Sequence, residues 1–167
     1  MYKRQTEHGS SKIFDKLSTD ERISNAKDQY KDGLIMSTSF GIQSAVMLHL
    51  VKQHLSDIPI IFIDTGYLFQ ETYSYAQLLT EQLDLNVKIF KSKISRMEQE
   101  KKYGKLWEQG KSGLEKYNQI NKVEPMQRGL NELKATAWIS GLRREQSESR
   151  KYRPVVEKQN NWVKIYP

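Results

Sequence analysis

The stretch 33-GLIMSTSFGIQSAVMLHL-50 changes character in its middle. Residues 34–39 form a short apolar run ending in hydroxyls, which predicts a buried strand. Residues 43–55 carry apolar side chains at helical spacing, which predicts a helix. The turn between them, Ser39-Phe40-Gly41-Ile42-Gln43-Ser44, holds one glycine. Two readings fit it. Backbone N–H groups at a helix start attract anions, and a glycine lets a phosphate approach the chain closely. Serine also caps helices for purely structural reasons. The turn is neither a Walker loop, since no Gly-Lys-Ser/Thr follows, nor a dinucleotide fingerprint, since the second and third glycines are missing.

Working outward, the alternation repeats. PIIFID (59–64) predicts a buried strand and residues 71–83 a helix. NVKIFK (86–91) predicts a third strand, with a helix to about Lys102. TAWISGL (136–142) predicts a fourth strand, and PVVEKQ-NN-WVKIYP (154–167) a hairpin about Asn160-Asn161. Thr19-Asp20 is the expected cap of a helix reaching Tyr30, and Pro125 the expected first turn of a helix reaching Lys134. Residues 103–123, with three glycines, read as irregular. Residues 1–18 read as a flexible tail, and 19–167 as one domain. The expected fold class is α/β: an open, mainly parallel sheet with helices on both faces.

Lysine plus arginine number 27 against 20 aspartates and glutamates, a net charge of +7. That balance suits an anionic partner. The sequence has no cysteine, so within it there is no disulfide, thiolate metal site, cysteine-ligated cluster or thiol nucleophile. The longest apolar run, IPIIFI (58–63), is too short to span a membrane, and no secretory signal is visible, so the expected location is cytoplasmic.

Three constellations carry candidate chemistry. The first is the Ser39–Ser44 turn. The second is Asp64-Thr65-Gly66, directly after the second strand. Ligands in open α/β sheets bind beyond the carboxyl ends of the strands, so both turns belong to one rim. The alternative for the second is a capped turn into the next helix. The third is GLRREQSESRKYR (141–153), rich in arginine forks that grip phosphate and sulfate oxygens. Lys122 stands before a helix start, where it reaches an anion or is simply a surface lysine. Trp107 stacks on a base or packs on the core. His49 and His54 lack ligand-spaced partners and read as surface or core-edge residues.

Five ordered blocks then coincide: SFGIQSAVMLHL (39–50), IDTGYLFQETYSYA (63–76), YGKLWEQG (103–110), EKYNQINKVEPMQRGLNEL (115–133) and AWISGLRREQSESR (137–150). Together they resemble the phosphoadenylyl-sulfate (PAPS) reductases of sulfate assimilation, most of all the cluster-free, thioredoxin-dependent enterobacterial type. The resemblance implies a PP-loop, Rossmann-like adenine-nucleotide fold with a five-stranded sheet. Ser39, Gly41, Gln43 and Ser44 would form a modified P-loop around the phosphosulfate. Asp64, Thr65 and Gly66 would border the adenosine. Lys122, Arg143, Arg144 and Arg150 would face the phosphate, sulfate and 3′-phosphate oxygens.

The implied reaction reduces PAPS to sulfite and adenosine 3′,5′-bisphosphate. External thioredoxin or glutaredoxin is the implied reductant and a homodimer the implied assembly, with no metal, nucleic-acid or membrane partner. Relatives that use the substrate without a 3′-phosphate carry an iron–sulfur cluster on a cysteine pair. Tyr117 and Asn118 stand at that pair, so no cluster is expected. The family's nucleophilic cysteine lies in a Glu-Cys-Gly-Leu-His type motif near the C-terminus, absent from these 167 residues. The expectation is therefore a truncated chain, a nucleotide-binding fragment without its redox cysteine. The competing readings are another PP-loop enzyme, such as an ATP-sulfurylase subunit, and a non-catalytic nucleotide- or nucleic-acid-binding module.

Overall fold

The computed structural model describes residues 14–142, 148 and 152–167. Six strands form one sheet: β1 (Leu34–Thr38), β2 (Ile60–Asp64), β3 (Val87–Lys91), β4 (Ala137–Ser140), β5 (Val156–Gln159) and β6 (Trp162–Ile165), in the order β3-β2-β1-β4-β6-β5. All neighbours pair parallel except β5 with β6. The implied sheet of five strands is thus a sheet of six. The extra strand is the outer arm of the hairpin, whose turn is closed by Asn160 at φ 56°. Asparagine tolerates that left-handed conformation better than most residues.

Alternation along the strands sorts side chains to two faces. Leu34, Met36, Ile60, Phe62, Ala137 and Ile139 enter one core with Ile23, Leu48, Val51 and Leu79. Those four come from α1 (Thr19–Tyr30), α2 (Ser44–His54) and α3 (Gln70–Gln82). Ile35, Ile61, Phe90 and Trp138 enter the opposite core beneath Leu130 of α6 (Glu124–Glu132). Within the stretch expected to be a tail, Phe14 is buried in the first core, and its carbonyl accepts a bond from Arg22 Nε at 2.8 Å. The cap of α1 is Ser18 rather than Thr19 or Asp20, completed by Glu21 in a reciprocal capping box.

The expectation of irregular structure over 103–123 is overturned. After α4 (Arg96–Tyr103) come a short 3₁₀ turn (Leu106–Glu108), α5 (Gly110–Asn118) and a π-helical turn (Gln119–Val123) that runs directly into α6. Gly104 and Gly110 take positive φ, 69° and 66°, whereas Gly113 serves packing. A Cβ on Gly113 would overlap the Leu106 carbonyl oxygen. The same holds on α6, where a Cβ at Gly129 would sit 3.0 Å from Ile61 Cδ1 and from the Phe90 ring. Gly129→Ala is therefore expected to lower stability by about 1–3 kcal/mol, read as a fall in urea midpoint. No helix among the described residues is long and apolar enough to cross a membrane.

Candidate nucleotide-binding cleft

The sheet order fixes where a ligand fits. From β1 the chain steps to β2 and β3 on one side, then crosses to β4 on the other. The crevice at that reversal, beyond the carboxyl ends of the strands, is the binding position of open α/β sheets. A cleft of about 880 Å³ opens there. Ser37–Ser39 and Gly41–Ser44 line it from the end of β1 and the turn that follows, Thr65 after β2, Lys122 and Met126 from the π turn and α6, and Ser140–Leu142 from the end of β4 onward.

The floor of the cleft is the turn into α2. Phe40 takes the strained conformation, φ 48°, and tucks its ring edge-on against Phe62 at 5.0 Å. Its N–H bonds to Thr38 Oγ1 at 3.2 Å, and Ser44 N–H closes the turn on the Gly41 carbonyl at 2.8 Å. Gly41 itself needs no special φ. A Cβ there would meet only Ser39 Oγ, at 3.9 Å. The space around that position is otherwise open, and Gly41 itself lines the cleft. At the start of α2, Gln43 makes no side-chain cap, whereas α1 and α4 both begin with complete capping boxes. Ser44 Oγ is buried, with no hydrogen-bond partner among the described residues. A buried hydroxyl left without a partner is costly, and an oxyanion in the cleft would relieve that cost.

Gly41→Ala therefore separates two roles. Stability is expected to change by less than about 0.5 kcal/mol, since nothing in the protein is crowded. Affinity for a phosphorylated nucleotide is expected to fall by about tenfold, because the new methyl occupies ligand space. Equal affinities by calorimetry would contradict that assignment.

Asp64 and Gly66 border this cleft without lining it. The Asp64 carboxylate is turned back into the protein. It accepts Tyr73 O–H at 2.6 Å and Gly66 N–H at 2.9 Å, and pairs with Lys91 Nζ at 3.0 Å. Burial alone would raise its pKa, but these three donors outweigh burial and hold it below the usual aspartate value. Burial and the Asp64 bond push Tyr73 up to about 12, so it stays a donor at neutral pH. Asp64 thus holds the turn that presents Thr65.

Because its folded pKa is depressed, Asp64 stabilises the chain fully above the unfolded aspartate pKa. That contribution is lost as pH falls through the folded value. Tyr73→Phe is expected to cost about 1–2 kcal/mol in urea unfolding at pH 7 and to flatten the acid limb of the stability profile.

Lys122 arrives by the route that the sequence left unread. The π turn places it on the cleft, and its Nζ lies 5.7 Å from the Tyr117 ring centroid. Tyr117 packs edgewise on Tyr67 and Trp107 at 5.6 and 6.4 Å, and Arg96 stacks over Tyr67 at 4.8 Å. Trp107 is part of this aromatic wall. Nearby Glu124 is lowered in pKa, mainly by Arg128 and then by Lys93, and is occupied by both. His54 bridges Ser24 and Asp20, a structural role. Among the described residues no group of three or more His, Cys, Asp or Glu could hold a metal. Arg143, Arg144 and Arg150 lie outside the described residues.

Comparison with known proteins agrees with this geometry. The family model of the phosphoadenosine phosphosulfate reductase domain matches residues 33–167. A protein of Vibrio parahaemolyticus named phosphoadenosine 5′-phosphosulfate reductase is 55% identical over 151 residues, covering 90% of this chain and 58% of its own length. Its namesake from Zymomonas mobilis is 49% identical over 158 residues, covering 95% of this chain and 65% of its own. This chain thus spans about 58–65% of these relatives' length.

The crystal structure of Candida auris PAPS reductase in a phosphate complex superposes with a TM-score of 0.81 at 29% identity, over 100% of this chain and 80% of that one. A Candida glabrata FMN adenylyltransferase bound to FMN and an ATP analogue shares only the fold, with a TM-score of 0.52 at 14% identity over 96% of this chain and 57% of that one. With a PP-loop α/β fold, a cleft at its switch point and a family match over most of its length, the chain belongs to the phosphoadenosine phosphosulfate reductase family.

Proposed function

We propose that this chain carries the nucleotide-binding part of a thioredoxin-dependent PAPS reductase, which converts PAPS to sulfite and adenosine 3′,5′-bisphosphate. The observation that carries the reading is the α2 start: open space over Gly41 and the unpartnered Ser44 hydroxyl, faced across the cleft by Lys122. In this reading Ser39, Gly41, Gln43 and Ser44 cradle the phosphosulfate. Thr65 borders the nucleoside, held in place through Asp64 and Gly66. Lys122 neutralises anionic oxygens, joined by Arg143, Arg144 and Arg150.

The chemistry needs a leaving group made tolerable. A cysteine thiolate attacks the sulfonate sulfur. An S–S bond forms, the S–O bond breaks, and its electron pair goes to the phosphate oxygen of the departing adenosine 3′,5′-bisphosphate. Lysine, helix N–H groups and the serine hydroxyl stabilise that developing charge. A thioredoxin-type thiolate then attacks the cysteine sulfur and displaces sulfite, leaving a mixed disulfide; the reductant's second thiol attacks its own bridged sulfur, closes its disulfide and releases the enzyme cysteine as thiolate.

These residues contain no cysteine, so the attacking thiolate comes from outside them. Electrons pass through the external dithiol rather than a bound cluster. In support, Tyr117, at the position of the cluster cysteines, is taken up in the aromatic wall. A cytoplasmic homodimer belongs to the same reading. Equilibrium dialysis tests it: sulfur-labelled PAPS should be retained by the 167-residue chain and released by adenosine 3′,5′-bisphosphate. Failure to retain it contradicts the reading.

A further inference from the structure

Two side chains outside the cleft make a reciprocal bond with no counterpart elsewhere among the described buried residues. Gln99 of α4 is 2% exposed and Asn121 of the π turn is fully buried. Gln99 Nε2 donates to Asn121 Oδ1 at 2.8 Å, and Asn121 Nδ2 donates to Gln99 Oε1 at 2.9 Å. Gln99 Nε2 also donates to the Ile94 carbonyl at 3.2 Å, which ties the pair to the start of α4. The residue after Asn121 is Lys122, the described cation that lines the cleft. Resting on the functional reading above, we propose that Gln99 and Asn121 are positioning residues, a buried amide clasp that sets the register of the π turn and so aims Lys122 at the bound anion.

The argument is one of specificity. Two apolar side chains of the same shape would stabilise the core about as well. They would also tolerate a turn that slips by a residue. A paired amide does not, because a slip leaves both carboxamides buried and unpaired. A π turn is an intrinsically unfavourable insertion in a helix and often marks a functional position. Here it lies between α5 and α6, where an ordinary α-helical continuation would rotate Lys122 about the axis. Tyr117, one turn earlier and packed edgewise on Tyr67, holds its ring centroid 5.7 Å from the lysine Nζ.

The test is a coupling measurement with adenosine 3′,5′-bisphosphate as the probe, read by calorimetry beside a thermal melt. Gln99→Met/Asn121→Leu is expected to melt cooperatively and to bind about tenfold more weakly, because misplaced binding groups lose most of their effect. Adding Lys122→Ala to that pair should cost much less than Lys122→Ala alone, since the lysine is already misdirected. Exchanging the two residues, Gln99→Asn/Asn121→Gln, keeps both amides and should recover most of the affinity. It also decides the matter if the apolar pair fails to fold. Full affinity in the apolar pair, strictly additive losses, or no recovery in the exchanged pair overturns the clasp while the functional reading stands. A wild-type chain that does not bind the probe overturns both.

Discussion

Lys122→Ala is expected to weaken binding of adenosine 3′,5′-bisphosphate by about 10- to 100-fold, the range of a charge-assisted bond to an anion lost from a partly enclosed site. The lysine lines the cleft, and the nearest carboxylate in sequence, Glu124, is committed to Arg128 and Lys93. Its charge is therefore available to a ligand. Folding should be little affected, because the substitution removes no buried contact of the two cores. The loss should shrink as salt rises, since an exposed cation attracts an anion less strongly when screened. Affinity within a factor of two of wild type, measured calorimetrically at low salt, would show that the anion sits elsewhere.

The second prediction concerns turnover, and its effect is close to all or none. Incubated with PAPS and reduced thioredoxin, the 167-residue chain is expected to release no sulfite above a thioredoxin-only control. Among the described residues the cleft is lined by the hydroxyls of Ser37, Thr38, Ser39, Ser44, Thr65 and Ser140, and by no thiol. A neutral hydroxyl is a far weaker nucleophile than a thiolate, and it cannot form the S-sulfonate that a dithiol reduces. Binding and turnover thus come apart: the substrate is held and not consumed. Sulfite above the control, lost on Ser44→Ala, would mean that the chemistry does not need a thiol.

Much of the fold is legible in the sequence because strands covered on both faces leave continuous apolar runs. IPIIFI and AWIS could be placed for that reason. The region 103–123 could not. Gly104, Gly110 and Gly113 look like loop punctuation, yet Gly113 is there because the 3₁₀ turn passes too close for a side chain. Close approach and flexibility call for the same residue, and only the packing tells them apart.

The site was legible to the same degree. Ser39, Gly41 and Ser44 follow a strand and open a helix, a local pattern. Asp64 shares the rim in sequence, but whether its carboxylate faces the cleft depends on Tyr73, nine positions on, and on Lys91 from the next strand. Gln99 and Asn121 lie 22 residues apart with no periodic signal joining them. For Lys122 the sequence leaves an anion contact and a plain surface lysine both open; the π turn sets it, still exposed, on the rim of the cleft.

The most direct test of the cleft's assignment is calorimetric titration of the chain with adenosine 3′,5′-bisphosphate, 5′-AMP and ATP under one buffer. A PAPS pocket predicts that the 3′,5′-bisphosphate binds at least about tenfold more tightly than either of the others, since the 3′-phosphate adds a charge-assisted contact of about 1.5–3 kcal/mol. ATP binding as tightly as the bisphosphate, or more tightly, would contradict it and assign the cleft to nucleotide triphosphate chemistry.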